Sequence, residues 1–265
     1  MSRSRILYLM YHGLELRDCQ SCLPAAAETH YVLPAETFCE QVAQMRAYGF
    51  DGISVGEALK RQANDTPVVA ITFDDGCESD LTAAAPALEE VGFRATFYLV
   101  AGVLGQIGYL SPRQARQLAE RGFEIGCHSM SHRFLTDLNS VELRLEMVEA
   151  KQELEDILGS PVVHFSCPGG RWNSRVAEAA KEAGYKSVAT SRIGMNTTSS
   201  DRFRLARMAV HRGTNSIDLL RSCQGSGLFP LQARQSVLSL AKSAFGNSIY
   251  QRIRNLFMSS AESVR

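Results

Sequence analysis

Short apolar runs alternate along this chain with longer segments in which apolar residues recur at helical spacing. The runs are rich in Val, Ile, Leu, Phe and Tyr, which is typical of strands buried on both faces. We interpret the following runs as strands: residues 5–12, 67–73, 94–100, 123–127, 162–167, 187–190 and 208–211.

Helices are predicted between these strands, and several carry signals at their ends. Pro34 is the first residue of one helix, and Ser111 followed by Pro112 caps another. Asn139 or Ser140 caps the longest, and glycines end others. The predicted helices cover residues 34–49, 55–62, 79–91, 111–121, 139–158 and 174–183, the last of them capped by Ser174. In the longest helix the predicted apolar face consists of Val141, Leu145, Val148 and Leu154.

Strand and helix alternate about seven times, which predicts a parallel, barrel-like α/β domain. We assign residues 1–215 to this barrel and residues 216–265 to a C-terminal helical extension packed on the same domain. In such barrels the functional residues lie at the C-terminal ends of the strands. The residues that occupy this position here are His12, Asp74, Asp75, His128, Pro168 and His211.

Composition narrows the class of protein. With 265 residues, 45% of them hydrophobic, the chain can bury the core of one large domain. Its formal net charge of zero gives no reason to expect nucleic acid as a partner. The seven cysteines are scattered, and Cys19-x-x-Cys22 has no second pair at zinc-ribbon spacing, so we expect reduced thiols and a cytoplasmic protein. The apolar run from Ile6 to Tyr11 is too short for a signal peptide, and no run approaches the ~20 residues of a membrane span.

The segment between Leu228 and Met258 differs in character, because it contains four basic residues and no acidic ones. Its apolar residues recur at helical spacing, which predicts a C-terminal amphipathic helix packed on the domain. The alternative is a basic amphipathic helix in peripheral contact with a membrane, which would suit a lipid-linked substrate.

Two carboxylates and two imidazoles follow the ends of two apolar runs about fifty residues apart. Asp74 and Asp75 are costly to bury unless a cation or a proton compensates them. If the chain coils after Cys127, the side chains of His128 and His132 share one face and reach a common point. Two histidines and one aspartate leave room for water on a metal ion, which is the arrangement that a hydrolytic metal needs.

Three segments stand out as motifs: T-F-D-D-G at 72–76, H-S-M-S-H at 128–132 and F-S-C-P-G-G at 165–170. They resemble the motifs of polysaccharide deacetylases with a NodB-homology domain, also known as carbohydrate esterase family four. The resemblance implies a distorted (β/α)7 barrel like a TIM barrel, a divalent metal that is usually zinc, and removal of N-acetyl or sometimes O-acetyl groups from sugars. It implies Asp74 as catalytic base and Asp75, His128 and His132 as metal ligands. We take Pro168, Gly169, Gly170 and Arg171 as candidate substrate-binding residues.

The sequence departs from the usual family pattern in three places. Ser166 stands where the third motif often carries an arginine, and Arg171 is a candidate to reach the site instead. No fourth motif containing tryptophan is evident. The general acid is either His12, which resembles the N-terminal motif of the variants that act on exopolysaccharides, or His211, which occupies the usual late position; we favour His12. We interpret His30 as a loop residue and His164 as a core residue.

These observations predict a metal-dependent deacetylase of an N-acetylated glycan or glycan precursor. The expected cytoplasmic location, with membrane association as an alternative, favours an exopolysaccharide or lipid-linked saccharide. One alternative is an O-acetyl esterase or another amidohydrolase with the same metal site. The other is a carbohydrate-binding protein that has lost catalysis, which Ser166 in place of the arginine leaves open.

Overall fold

The apolar runs form the strands of one curled sheet. A computed structural model describes residues 5–17, 23–24, 27–61, 67–229 and 232–233. Within them the strands are β1 (Ile6–Tyr11), β2 (Leu14–Glu15), β3 (Leu33–Pro34), β4 (Asp51–Ile53), β5 (Val68–Phe73), β6 (Thr96–Leu99), β7 (Glu124–Cys127), β8 (His164–Ser166), β9 (Ser187–Ala189), β10 (Met195–Asn196) and β11 (Met208–Ala209). The helices are α1 (Ala35–Ala47), α2 (Val55–Lys60), α3 (Ala85–Glu90), α4 (Pro112–Glu120), α5 (Ser140–Leu158), α6 (Ser174–Glu182) and α7 (Ser216–Cys223).

The main sheet has the order β10-β1-β5-β6-β7-β8-β9, with β4 paired to β5 and β11 paired to β1. All pairings are parallel except that of β10 with β1. The segment from Leu205 to Ala209 connects the two ends of this order. The Leu205 amide donates to the carbonyl of Val188 in β9 at 2.9 Å, and Met208 pairs with Leu9 in β1. The predicted distorted (β/α)7 barrel is therefore confirmed.

Capping residues define the helix starts. The side chain of Ser111 accepts the amide of Gln114 in a capping box, as its sequence signal predicts. Asn139, rather than Ser140, caps α5 in the same way. The predicted Ser174 cap is wrong, because the side chain of Asn173 accepts the amide of Val176 and Ser174 is the first helical residue.

Two predictions about helices need correction. The helix predicted over 79–91 begins as a π-helical turn, Asp80–Ala84, and continues as α3. In α5, Val141 is 70% exposed and Leu145 is 45% exposed, so they do not form the buried face. That face consists of Leu143, Glu146, Met147, Ala150 and Leu154. The sequence offers two apolar stripes on this helix, and packing against β7 and α4 selects the second.

The N-terminal end of the barrel is filled by polar residues that satisfy one another. His164 Nδ1 lies 2.8 Å from the hydroxyl of Ser187, and its Nε2 lies 3.5 Å from Glu124. Because the Ser187 side chain is fully buried, we assign this carboxylate, imidazole and hydroxyl a structural role. The prediction that His164 is a core residue is confirmed.

Some predictions fall on residues outside the described ranges. Cys19 and Cys22 lie there, as does nearly all of the basic segment 228–258. The C-terminal amphipathic helix and its membrane contact therefore stay predictions, as does the division at residue 215. Helix α7 lies at the start of the proposed extension and packs on α1 and β1. Within the described ranges, no helix is both long and apolar enough to cross a bilayer.

Candidate metal and active site

Asp74 and Asp75 lie on the turn that follows β5. The Asp74 amide donates to the carbonyl of Tyr11 at 3.0 Å, which fixes this turn beside the end of β1. Asp74 is buried, whereas Asp75 has a positive φ of 81° and is partly exposed. The left-handed backbone is unfavourable for aspartate, and residues held in it often have a functional role.

His128 is buried at the end of β7, and the hydrogen bond of its ring selects the nitrogen that faces the site. Its Nδ1 lies 2.9 Å from the carbonyl oxygen of Ser166. A carbonyl can only accept, so Nδ1 carries the proton and Nε2 keeps its lone pair. Burial lowers the pKa of His128 to about 4, against an opposing effect of Asp74. The ring is therefore neutral, as a metal ligand must be.

The segment between the two histidines is a loop and not the helical turn that the spacing suggests. Ser129 has a φ of 71° and His132 a φ of 59°. The imidazoles nevertheless converge, with ring centroids 5.0 Å apart. The two imidazoles thus reach a common point, as predicted, but through a loop and not through a helical turn.

The side chains of Asp75, His128 and His132 meet as a three-ligand group. Asp75 Oδ1 lies 3.5 Å from His128 Nε2 and 3.3 Å from His132 Nε2. One ligand atom from each residue lies within 4.8 Å of the other two, and no other such group occurs in the part of the chain that the structure describes. Asp75 Oδ1 is buried without a hydrogen-bond partner. An orphaned carboxylate oxygen facing two imidazoles fits a divalent cation.

Asp74, beside this group, is held by an arginine that the sequence analysis did not identify. Arg207 is fully buried, and its Nη1 and Nη2 donate to the two carboxylate oxygens of Asp74 at 2.7 Å each. The hydroxyl of Ser166 accepts from Arg207 at 2.8 Å and donates to Asp74 at 3.1 Å. Burial opposes ionisation of Asp74, but Arg207 outweighs it, and together with His128 it holds the pKa of Asp74 well below its usual range.

Ser166 thus occupies the position of the motif arginine and contacts an arginine that directly precedes β11. Arg207 lies in the segment that closes the barrel, within the apolar run Leu205 to Val210. Arginine is almost never fully buried unless it is paired. A lone arginine in a strand-like run, combined with the absence of arginine at position 166, was the signal available in the sequence.

Arg171, the sequence candidate for this role, contacts other residues. Its Nη1 lies 3.3 Å from Asp137, and its guanidinium lies over the ring of Phe134 at 3.7 Å from the centroid. Pro168, Gly169 and Gly170 form a single 3₁₀ turn at the end of β8, with φ of 59° and 65° at the glycines. The substrate-binding role of these four residues stays a prediction.

The two candidates for the general acid both contact one aromatic ring, that of Tyr31. His12 stacks on Tyr31 with centroids 4.5 Å apart, and Tyr31 lies 4.9 Å from His211. The Nδ1 of His12 is buried and has no hydrogen-bond partner, whereas His211 is exposed. His30 lies on the loop before β3, as predicted, and also contacts Tyr31.

The motifs of this site recur in known proteins. The family model for polysaccharide deacetylases matches residues 61–188. Over 214 residues the chain is 28% identical to the Bacillus subtilis protein YxkH, a match that covers 79% of this chain and 73% of the relative. Residues 61–188 therefore form a polysaccharide deacetylase domain. It is 32% identical to a peptidoglycan-N-acetylglucosamine deacetylase of Bacillus cereus, over 47% of this chain and 57% of that protein.

Solved structures of polysaccharide deacetylases share the fold. The Streptococcus pyogenes deacetylase PplD, solved in complex with acetate, superposes with a TM-score of 0.75 at 21% identity. The match covers 84% of this chain and 99% of PplD. The chain carries a polysaccharide deacetylase domain and is a hydrolase of carbon–nitrogen bonds other than peptide bonds.

Proposed function

We propose that this protein removes N-acetyl groups from a glycan or glycan precursor by metal-dependent hydrolysis. The observation that carries the proposal is the convergence of Asp75, His128 and His132 beside a carboxylate held by Arg207. These three residues would hold the metal, and their two nitrogens and one oxygen are a donor set that suits zinc. A divalent metal bound there supplies a water of lowered pKa and polarises the acyl carbonyl.

Asp74 acts as the general base. Its carboxylate lies 3.8 Å from His128 Nε2, so it borders the metal position without belonging to the ligand group. Arg207 and Ser166 keep the carboxylate ionised and fix its plane. A fixed, ionised carboxylate takes the proton of the attacking water without first breaking hydrogen bonds to solvent.

His12 acts as the general acid that protonates the leaving amine. The strand that precedes it, β1, pairs directly with β5, so His12 and Asp74 follow neighbouring strands. His211 follows β11 on the opposite side of β1 and is exposed to solvent. Stacking on Tyr31 holds the His12 ring in place, and a ring face is a favourable neighbour for an imidazolium.

The substrate class rests on the relatives as well as on the site. The Bacillus cereus relative is by name a deacetylase of N-acetylglucosamine in peptidoglycan, and acetate, which is bound in PplD, is the second product of such a reaction. We favour an exopolysaccharide or a lipid-linked saccharide, as the N-terminal Tyr11-His12 motif suggests. The alternative of a binding protein without activity was based on the missing arginine at position 166. Arg207 places a guanidinium beside Asp74 and Ser166, so this argument against catalysis no longer applies.

Acetate release from short N-acetylglucosamine oligomers tests the proposal. Purified protein is assayed as isolated, after chelation and after return of zinc, with loss and recovery of activity expected. The Asp74→Asn variant serves as the control, since it should bind zinc as the wild type does but turn over at least a hundredfold more slowly. Activity that ignores chelation would refute the metal mechanism. Release of acetate only from O-acetylated sugars in the same panel would favour the esterase alternative.

A further inference from the structure

The loop that carries the two histidine ligands has an unfavourable backbone. Ser129 and His132 both lie in the left-handed region although neither is glycine. Such conformations persist only where the surroundings determine them, because the residue would otherwise relax to negative φ. The loop must therefore be held by contacts outside itself.

Its carbonyl groups are held by the segment that follows β6. The amide of Ala101 donates to the carbonyl of Ser129 at 3.1 Å, and that of Gly102 donates to the carbonyl of Met130 at 2.9 Å. Gly102 permits this approach, because a Cβ at that position would lie 2.7 Å from the Met130 carbonyl oxygen. These contacts fix one edge of the loop.

Its amide groups are held by one carboxylate. The amides of Met130 and Ser131 donate to Glu146 Oε2 at 3.0 and 2.9 Å. The hydroxyl of Ser131 donates to Glu146 Oε1. The remaining amide, that of His132, donates within the loop to Ser129 Oγ at 3.0 Å. Glu146 is thus the side chain from outside the loop that fixes its second edge.

Glu146 is itself held rigidly. It is buried on α5 between two core residues, Leu143 and Met147, and Asn139 caps the start of the same helix. A buried carboxylate is costly unless hydrogen bonds satisfy it. The three donors of the loop satisfy this carboxylate, so loop and helix fix each other.

We propose that Glu146 is a positioning residue for the metal, which holds His132 in the geometry that binding needs. The proposal rests on the proposed metal site. Residues that orient metal ligands typically contribute about ten- to a hundredfold in affinity. Such residues usually hydrogen-bond to the imidazole of a ligand, whereas Glu146 hydrogen-bonds to the backbone between the two histidines.

A pair of variants of similar length separates positioning from packing. Glu146→Met fills the same space but accepts no hydrogen bond, whereas Glu146→Gln can still accept both amides through its carbonyl oxygen. Glu149→Met, on the exposed side of α5, is the control. Zinc affinity is measured on metal-free protein by competition with a chromophoric chelator, and thermal unfolding of the same samples reports stability.

We expect Glu146→Met to bind zinc about ten- to a hundredfold more weakly, with Glu146→Gln within about threefold of the wild type and Glu149→Met unchanged. A folded Glu146→Met protein with wild-type zinc affinity would overturn the proposal, and a lower unfolding temperature alone would then mark a purely structural role. If Glu146→Met does not fold, Ser131→Ala removes one of the three hydrogen bonds at an exposed position and should weaken zinc binding several-fold; unchanged affinity there would also overturn it. Wild-type protein that binds no zinc would instead refute the proposed metal mechanism.

Discussion

Replacing Arg207 with methionine would leave Asp74 as an uncompensated charge in the centre of the barrel. The two side chains are 0% and 3% exposed, and the guanidinium donates to Asp74, Ser166, Thr72 and the carbonyl of Thr190. Removing one partner of such a pair typically costs about 3–5 kcal/mol. We therefore expect the Arg207→Met protein to lose a large fraction of its stability and to unfold on the order of 10 °C earlier.

The cost should depend on pH in a defined direction. In the wild type the pKa of Asp74 lies below its unfolded value, so the pair stabilises the fold above about pH 4 and is lost below it. Without Arg207, burial raises the pKa of Asp74 above the unfolded value. The folded variant then binds the extra proton, and it loses stability as the pH rises beyond about 4.

Urea unfolding followed by circular dichroism measures this effect on metal-free protein between pH 4 and 7. The difference in unfolding free energy between wild type and variant should grow from pH 4 to pH 7, because the variant loses stability over this range while the contribution of the wild-type pair is already present at pH 4. Arg171→Met is the matched control, because its partner Asp137 is exposed and the pair should contribute at most about 1 kcal/mol. A difference below about 1 kcal/mol for Arg207→Met, or one that does not change with pH, would refute the reasoning.

Three further predictions follow from the site. His12→Ala should lower the turnover number by a factor on the order of a hundred or more, whereas His211→Ala should change it less than tenfold; the reverse order would identify His211 as the acid. Asp80 is buried and neither of its carboxylate oxygens is hydrogen-bonded. Burial, reinforced by the charge of Asp75, raises the pKa of Asp80 well above the usual range. Asp80→Asn should therefore increase the urea midpoint at pH 7 and not at pH 4. Burial lowers the pKa of His128 to about 4, so metal-free protein should lose up to about 3 kcal/mol as the pH falls from about 6.5 to 4; a His128→Asn variant that shows the same loss would contradict this.

Much of the barrel could be predicted because its strands are buried on both faces. Such strands appear as uninterrupted apolar runs, and β1, β5, β6 and β7 all lie where these runs predict. The sequence did not predict strands β4 and β10, because Asp51–Ile53 and Met195–Asn196 are too short to form an apolar run. Their place in the sheet depends on pairing with β5 and β1, which is a tertiary contact.

The site shows the same division between local and long-range information. The candidate metal ligands could be predicted from motifs, because Asp75 and His128 lie next to strand ends and His132 follows His128 at a spacing of four residues. Arg207 could not be assigned in this way, since its partner Asp74 is 133 residues away and no motif links them. The predictions of the α6 cap and of the buried face of α5 were wrong for a local reason. Asn173 and Ser174 are both good capping residues, and α5 carries two apolar stripes.

The path of the closing segment separates the candidate metal ligands from the arginine that holds Asp74. Residues 61–188, which the family model matches, include Asp74, Asp75, His128 and His132 but neither His12 nor Arg207. A fragment cut at these limits would carry all three candidate ligands and would leave Asp74 without its counter-charge. A growing polypeptide meets the same condition, because Arg207 is the last of these residues to be synthesised. The buried pair of Asp74 and Arg207 thus forms late, when the closing segment joins β9 to β1.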